Sequence, residues 1–435
     1  MTIRPHHSHR LRALAVLLPA CVLLGLAGAA GAAAAKPRQQ DPSSYPAGVS
    51  RPLIGSGASQ YAAAATESSS QAHKKQKKAK KPKLRGNPAR ALLAFQAMQR
   101  SYYILGSGLY AGEPFSFLWP FSQAMAATIS MANIAHLGVS LTREVHARLI
   151  GLGSYLDTDN SGASDASFTS TLPAYDGTVA PPVGPGGTKY YDDNDWVGIE
   201  LVRMYKLNHD PAALEDAKQI MAFEIAGWQS DPTLGCAGGL PFSNAAENTD
   251  RNTVTTAPAA ELALQLYELT AATEYLQFAE MAYEWVRACL LLPSGLYADH
   301  VSPTGQIQGS VWSYNQGTMI GAGAMLYQVT QNSGYLAEAR ETAEAALGYF
   351  TPERLGSEIP FFASVYFRNL MYLDSITHDP PGPHLAQSYV DYAWQHLRLS
   401  NNLFVAGSPA SAQLLVQAAI VQIYALLSSP PSTYF

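Results

Sequence analysis

Three copies of one pattern restrict this chain to a stack of helix pairs. Tyr205-Lys206-Leu207-Asn208 is followed by Leu214 and Ala217, Tyr267-Glu268-Leu269-Thr270 by Leu276 and Ala279, and Tyr327-Gln328-Val329-Thr330 by Leu336 and Ala339. In every copy Leu comes nine residues after the Tyr and Ala twelve, and the tyrosines lie 62 and then 60 residues apart. A fixed period of this length is the mark of stacked supersecondary units. Each copy reads as one helix, a short polar turn and a second helix.

The first helices, 193–205, 252–267 and 314–327, are apolar on most sides, whereas the second, near 211–227, 272–291 and 334–350, carry charges on one face (Glu215, Asp216, Lys218; Glu338, Arg340, Glu341). That contrast separates buried inner helices from solvent-facing outer ones. Trp119–Ala135, Phe361–Leu373 and Ser411–Leu427 extend the inner set; Pro88–Tyr103, Leu141–Leu152 and His384–Leu397 extend the outer set. With strand signals almost absent, the expected fold is all-α: an (α/α)6 toroid of six inner and six outer helices.

The ring is expected to occupy residues 88–435. Before it, residues 1–35 read as a secretory signal: Arg4, Arg10 and Arg12, the apolar run Ala13–Leu26, then small residues to Ala35. Leu18-Pro19-Ala20-Cys21 imitates a lipoprotein box, but apolar residues continue past the cysteine. Residues 36–87 lack apolar periodicity and read as a disordered tether. Its basic run, Lys74 to Lys83, suits an anionic envelope surface in an exported protein. Beyond residue 87, 14 Lys and Arg face 31 acids, a formal charge of −17, which argues against nucleic-acid binding. A secreted or envelope-associated monomer is expected.

One end of such a ring is a funnel where inner helices begin. The stretch Lys189-Tyr190-Tyr191-Asp192-Asp193-Asn194-Asp195-Trp196 places two adjacent carboxylates, flanked by aromatics, at the mouth of an apolar helix. A helix N-terminus stabilises negative charge, so a cap or first-turn acid is the plain reading of the pair. The other entry segments change its weight. They are Trp119-Pro120-Phe121-Ser122-Gln123, Arg251-Asn252-Thr253, Trp312-Ser313-Tyr314-Asn315-Gln316 and Pro360-Phe361-Phe362. Aromatic faces stack on sugar C–H surfaces, and Asn, Gln and Arg hydrogen-bond hydroxyls, so the funnel reads as a carbohydrate cleft; rim packing is the alternative for each residue.

Other patterns carry less. Asp157-Thr158-Asp159-Asn160-Ser161-Gly162 with Asp165 imitates the start of a calcium loop, but Phe168 stands where its bidentate acid belongs. No metal or cofactor is called for. Cys236 and Cys289 remain after signal removal, and both a disulfide and two buried thiols are open to them.

The Tyr190–Trp196 stretch, with Leu201, Tyr205 and Leu214, resembles the signature of glycoside hydrolase family 76, whose members include secreted bacterial and fungal endo-α-1,6-mannanases. Gly238-Gly239-Leu240, Arg251-Asn252-Thr253 with Ala257-Pro258, Tyr314-Asn315-Gln316-Gly317 and Phe367-Arg368 fit it in order, over roughly residues 90–428. The resemblance implies a retaining mechanism on α-1,6-mannosidic linkages of mannan-type glycans, with Asp192 as nucleophile and Asp193 as general acid/base. It also implies sugar contacts by Trp119, Gln123, Tyr190, Tyr191, Trp196, Arg251, Asn252, Tyr314, Asn315, Gln316, Phe361 and Arg368. The chain departs from the family at Pro241-Phe242, Thr256 and Val197, where Trp, Asn and Trp are common; these changes bear on subsites and linkage. A non-catalytic envelope protein that keeps the sugar cleft is the second reading. Binding alone does not require two adjacent acids, which favours the enzyme.

Overall fold

The computed structural model describes residues 84–158, 172–406 and 413–435. The expected signal, the expected tether through Lys83, the Cys21 box and most of the calcium-like loop, including Asp159 and Asp165, lie outside the described residues; the last residues of the expected tether, 84–87, are described, and Gly86 and Asn87 already belong to the first helix. The described residues fall in one compact unit, Ala79–Phe435.

Six inner helices close a ring: α2 (Leu118–Ala132), α4 (Tyr191–Asn208), α6 (Thr253–Thr270), α8 (Ser313–Thr330), α11 (Pro360–Thr377) and α13 (Leu414–Leu426). Each packs on the next in chain order, and α13 packs back on α2. The outer layer is α1 (Gly86–Tyr102), α3 (Thr142–Leu152), α5 (Pro211–Gly227), α7 (Thr273–Leu290), α9 (Ser333–Tyr349) and α12 (Pro381–Tyr392), with a short α10 (Pro352–Ser357) before α11. Helix α1 packs chiefly on α13, so the two ends of the ring's sequence form its last hairpin. The expected helices agree with these to within a few residues. The largest difference is α12, which begins at Pro381 and gives way to a π-helical turn at Ala393–Leu397.

The repeat has a mechanical explanation. Helices α4, α6 and α8 each end on a left-handed residue, His209, Ala271 and Gln331, whose N–H bonds the carbonyl of Tyr205, Tyr267 and Tyr327 at 2.8 Å. This αL stop satisfies an otherwise unpaired carbonyl and turns the chain. Asp210 and Asn332 then cap α5 and α9. The alanines twelve residues after each Tyr are fully buried where the outer helix meets the inner layer, and the leucines nine after pack half-buried against the same core.

Inner helices approach closely where glycine permits. A Cβ on Gly317 of α8 would lie 2.7 Å from Tyr366 Cα on α11, so these two backbones pack almost in contact. The axis is polar. Glu200 accepts from Arg203 at 2.5 Å and Arg368 at 2.8 Å, Arg368 donates to Gln422 at 2.9 Å, and Gln422 donates to Gln123 at 3.1 Å. Helices α2, α4, α11 and α13 are thereby tied through their centres. Cys236 and Cys289 are disulfide-bonded, with Cα atoms 6.1 Å apart, which anchors the loop after α5 to the end of α7. Short strands shape the connections: β1 (Leu156–Asp157) pairs with β2 (Ala174–Tyr175), and β3 (Arg251–Asn252) with β4 (His300–Val301), which pairs with β5 (Ile307–Gln308), all antiparallel. At the opposite end, a cavity of about 500 Å³ is lined by Ala132, Leu137, Leu207 and Asn208 among others. It brings together no set of catalytic groups.

Candidate active site

The funnel is assembled around the first turn of α4. Tyr190 precedes the helix in an extended conformation, and no side chain caps it. Asp192 and Asp193 are first-turn acids of α4 and not its N-cap residue. The backbone N–H groups of Asp192 and Asp193, two of the donors a helix start leaves unpaired, favour the Asp192 anion, while its Oδ1 has no hydrogen-bond partner. Local anchoring falls to Asn194. Its Nδ2 donates to Tyr190 O at 2.8 Å and Tyr175 O at 3.0 Å, and its Oδ1 accepts from Tyr175 N–H at 2.9 Å. On the other flank, Tyr191 N–H donates to Phe242 O at 3.2 Å, and Asn244 N–H to Lys189 O at 3.0 Å. Lys189 is fully buried with its Nζ 3.4 Å from Asp157. Two loops thus clamp the residues that lead into the aspartate pair.

Burial is the main force on both acids. It lifts Asp192 to about 7, against the lowering effect of the nearby backbone N–H groups of Asp192 and Asp193. Asp193 goes well above the carboxylate range, because burial is joined there by the charge on Asp192. Two close carboxyls that cannot both ionise hold one proton between them near neutrality. That proton belongs on Asp193, which has no neighbouring backbone N–H groups to favour its anion as Asp192 has. The Tyr190 and Tyr314 hydroxyls flank the pair: burial first, then Asp193 and Asp192 for Tyr190 and Asp299 and Asp192 for Tyr314, raises both phenols.

The aromatic expectations divide. Trp119, Trp196 and Tyr314 converge on Phe361, with ring centroids 5.3, 5.5 and 6.3 Å away. Both indole Nε1 atoms lack a protein partner. Tyr190 stands at the rim beside Phe242, 5.4 Å between rings, and Phe242 is 40 % exposed. Asn315, buried in the first turn of α8, leaves both amide atoms without a protein partner. Asn252 sits one residue before α6, its amide donating to Asp250 O at 3.1 Å.

Five of the residues expected to contact sugar have protein partners of their own. Tyr191 is fully buried and stacks on Phe223 of α5 at 4.5 Å, because the residue after Tyr190 already points outward from the axis. Arg251 binds the carbonyls of Gly235, Cys236 and Thr249, holding the disulfide loop. Gln316 braces Tyr297 through both its amide atoms. Arg368 and Gln123 belong to the axial network. In each case much of the side chain's hydrogen-bonding or stacking surface is engaged by protein, although Nε of Arg251 and of Arg368 has no partner.

Other groups at the site were not foreseen. Asp195 and Glu224 are fully buried beside the pair, and His300 lies 2.9 Å from Asp299 and 3.5 Å from Asp250 next to Asn252. Asp195 could have been found from its spacing of three from Asp192, and Phe242 from its departure at Pro241-Phe242. Glu224 had no signal: an acid on an outer helix reads as solvent-facing. Thr256, another departure, accepts Leu240 N–H at 3.0 Å and shapes the loop rather than the cleft. Among the described residues no group of three or more His, Cys, Asp or Glu could hold a metal.

Comparison with known proteins agrees with this architecture. The sequence profile of glycosyl hydrolase family 76 matches residues 154–374. The mannan endo-1,6-alpha-mannosidase DCW1 of Saccharomyces cerevisiae is 26 % identical over 184 residues, 39 % of this chain and 40 % of that protein. The chain thus matches well under half the length of this curated relative. A family 76 mannosidase from Bacteroides thetaiotaomicron superposes with a TM-score of 0.69 at 22 % identity, covering 79 % of this chain and 98 % of its own. An inactive variant of a Salegentibacter α-1,6-mannanase, with two consecutive aspartates replaced by Asn and α-1,6-mannotriose bound, superposes with a TM-score of 0.61 at 19 % identity, covering 79 % and 99 %.

Proposed function

Because the chain belongs to glycosyl hydrolase family 76, we propose that it is a retaining glycoside hydrolase that cleaves α-1,6-mannosidic linkages in mannan-type glycans. One observation carries the reading: adjacent, unequally stabilised carboxyls in the first turn of α4 beneath an aromatic rim, Asp193 buried and Asp192 half-buried. Hydrolysis through an oxocarbenium-like transition state needs one anionic carboxylate and one carboxylic acid. Asp192, held as an anion by helix N–H groups, attacks the anomeric carbon, while Asp193 gives its proton to the departing oxygen. Asp193 then takes a proton from the water that releases the sugar. Trp119, Tyr190, Tyr314 and Phe242 offer ring faces and edges to the sugar, and Asn315 offers an amide. The relatives support the substrate class: one is named for mannan cleavage, and another holds α-1,6-mannotriose in a variant whose consecutive aspartates were replaced by Asn.

The N-terminal sequence supports export, and its Lys74–Lys83 run supports retention at an anionic envelope surface. The enzymatic test is incubation with α-1,6-mannan oligosaccharides, reading the first-formed anomer by NMR. An α-product supports retention, a β-product means inversion, and no cleavage by folded protein of any mannan linkage removes the reading in favour of a binding protein.

A further inference from the structure

Two buried carboxyls beside the catalytic pair have no part in the chemistry above. Asp195 follows Asp192 by three residues and so shares its face of α4. Glu224 lies on α5, which packs along α4. Both are fully buried, and no protein group hydrogen-bonds any of their four oxygens. The charged groups that bear on them are all acids: Glu224, Asp192 and Glu261 on Asp195, and Asp192 on Glu224. Arg368, which could have offset them, acts instead on Glu200 and Glu261. An ionised carboxylate buried without cation or donor costs several kcal/mol, and such a group takes up a proton instead. Burial, with these neighbouring charges, raises both acids well above the usual range.

We propose that Asp195 and Glu224 are positioning residues that each carry a proton in the working enzyme, so that an uncharged acid pair backs the Asp192 carboxylate. The proposal rests on the reading of Asp192 as nucleophile. A second negative charge at this depth would drive Asp192 to hold its own proton and disable it. A neutral carboxyl opposes nothing, and its O–H dipole favours the anion in front of it.

The test uses Asp195→Asn and Glu224→Gln, which keep size and a donor but carry no ionisable proton, and Glu224→Met, which removes the donor. Infrared spectra at pH 7 should show that each of the first two lacks a protonated-carboxyl band present in the parent. Loss of an ionised carboxylate band instead overturns the proposal. This measurement needs no substrate, so it stands apart from the mannan reading, which fails only if the parent cleaves no mannan linkage. In kinetics, Glu224→Gln should keep kcat within about threefold and leave the acid limb in place. Glu224→Met should lower kcat about tenfold or more, with KM nearly unchanged, and move the acid limb to higher pH. If Met behaves like Gln, or if Gln moves the acid limb downward, the pair has no such role.

Discussion

Arg368 on α11 and Glu200 on α4 meet at 2.8 Å in the axis of the ring, although 168 positions separate them in sequence. The contact decides what Arg368 is for. A guanidinium shared between Glu200 and Gln422 inside the ring ties helices together and leaves little to offer a sugar.

Arg368→Met should therefore destabilise the fold by about 3–5 kcal/mol, the cost of leaving Glu200 and Glu261 with less compensation. Urea unfolding measures it. Unchanged stability with a raised KM would return Arg368 to the sugar cleft.

Asp193→Asn should lower kcat by about 10²–10⁴ on substrates with poor leaving groups, the range of a lost general acid. Asp192→Asn should lose as much regardless of leaving group. Calorimetry with a mannan oligosaccharide should find binding retained in both, since neither change removes an aromatic surface.

The pH dependence follows from Asp192, raised to about 7 mainly by burial. Below that value the pair takes up its second proton and the nucleophile is neutral, so kcat falls toward acid. Stability moves the opposite way. An acid with a raised folded pKa binds its proton more tightly when folded, so its destabilising effect is absent below the unfolded value and grows as pH rises toward about 7. Asp192→Asn should raise Tm at pH 8 by several degrees and change it little at pH 4, as measured by calorimetry at both values.

Removing the Cys236–Cys289 bridge with a Cys236→Ser/Cys289→Ser pair should cost about 2–4 kcal/mol, since it closes a long loop with a sequence separation of 53. The loop also carries Phe242 and Leu240, so KM should rise more than kcat falls. Thiol titration of the unfolded, unreduced parent should find no free thiol from this pair.

Much of the fold was legible because its causes are local. The Tyr–Leu–Ala spacing records an αL stop, a short turn and a small residue at the layer contact, all within 12 residues of one another. Inner and outer helices differ in composition because one set is buried all round. The aspartate pair was legible for a similar reason, since adjacent acids at the mouth of an apolar helix are conspicuous in one dimension.

Sequence alone determined the ring, its helices and the pair at its mouth, because each depends on residues close together in the chain. Which polar side chains face the sugar was decided only by tertiary structure. Arg251, Gln316 and Arg368 look alike in sequence as hydrogen-bonding groups, yet each meets partners from other segments that take up most of its polar atoms. Glu224 shows the converse: an outer-helix acid becomes part of the site because α5 turns it inward behind Asp192, into a region where burial removes water and no cation offsets its charge. Exposure and partnership are properties of the packed ring, and they determine whether a carboxyl is a solvated surface charge or a buried proton carrier.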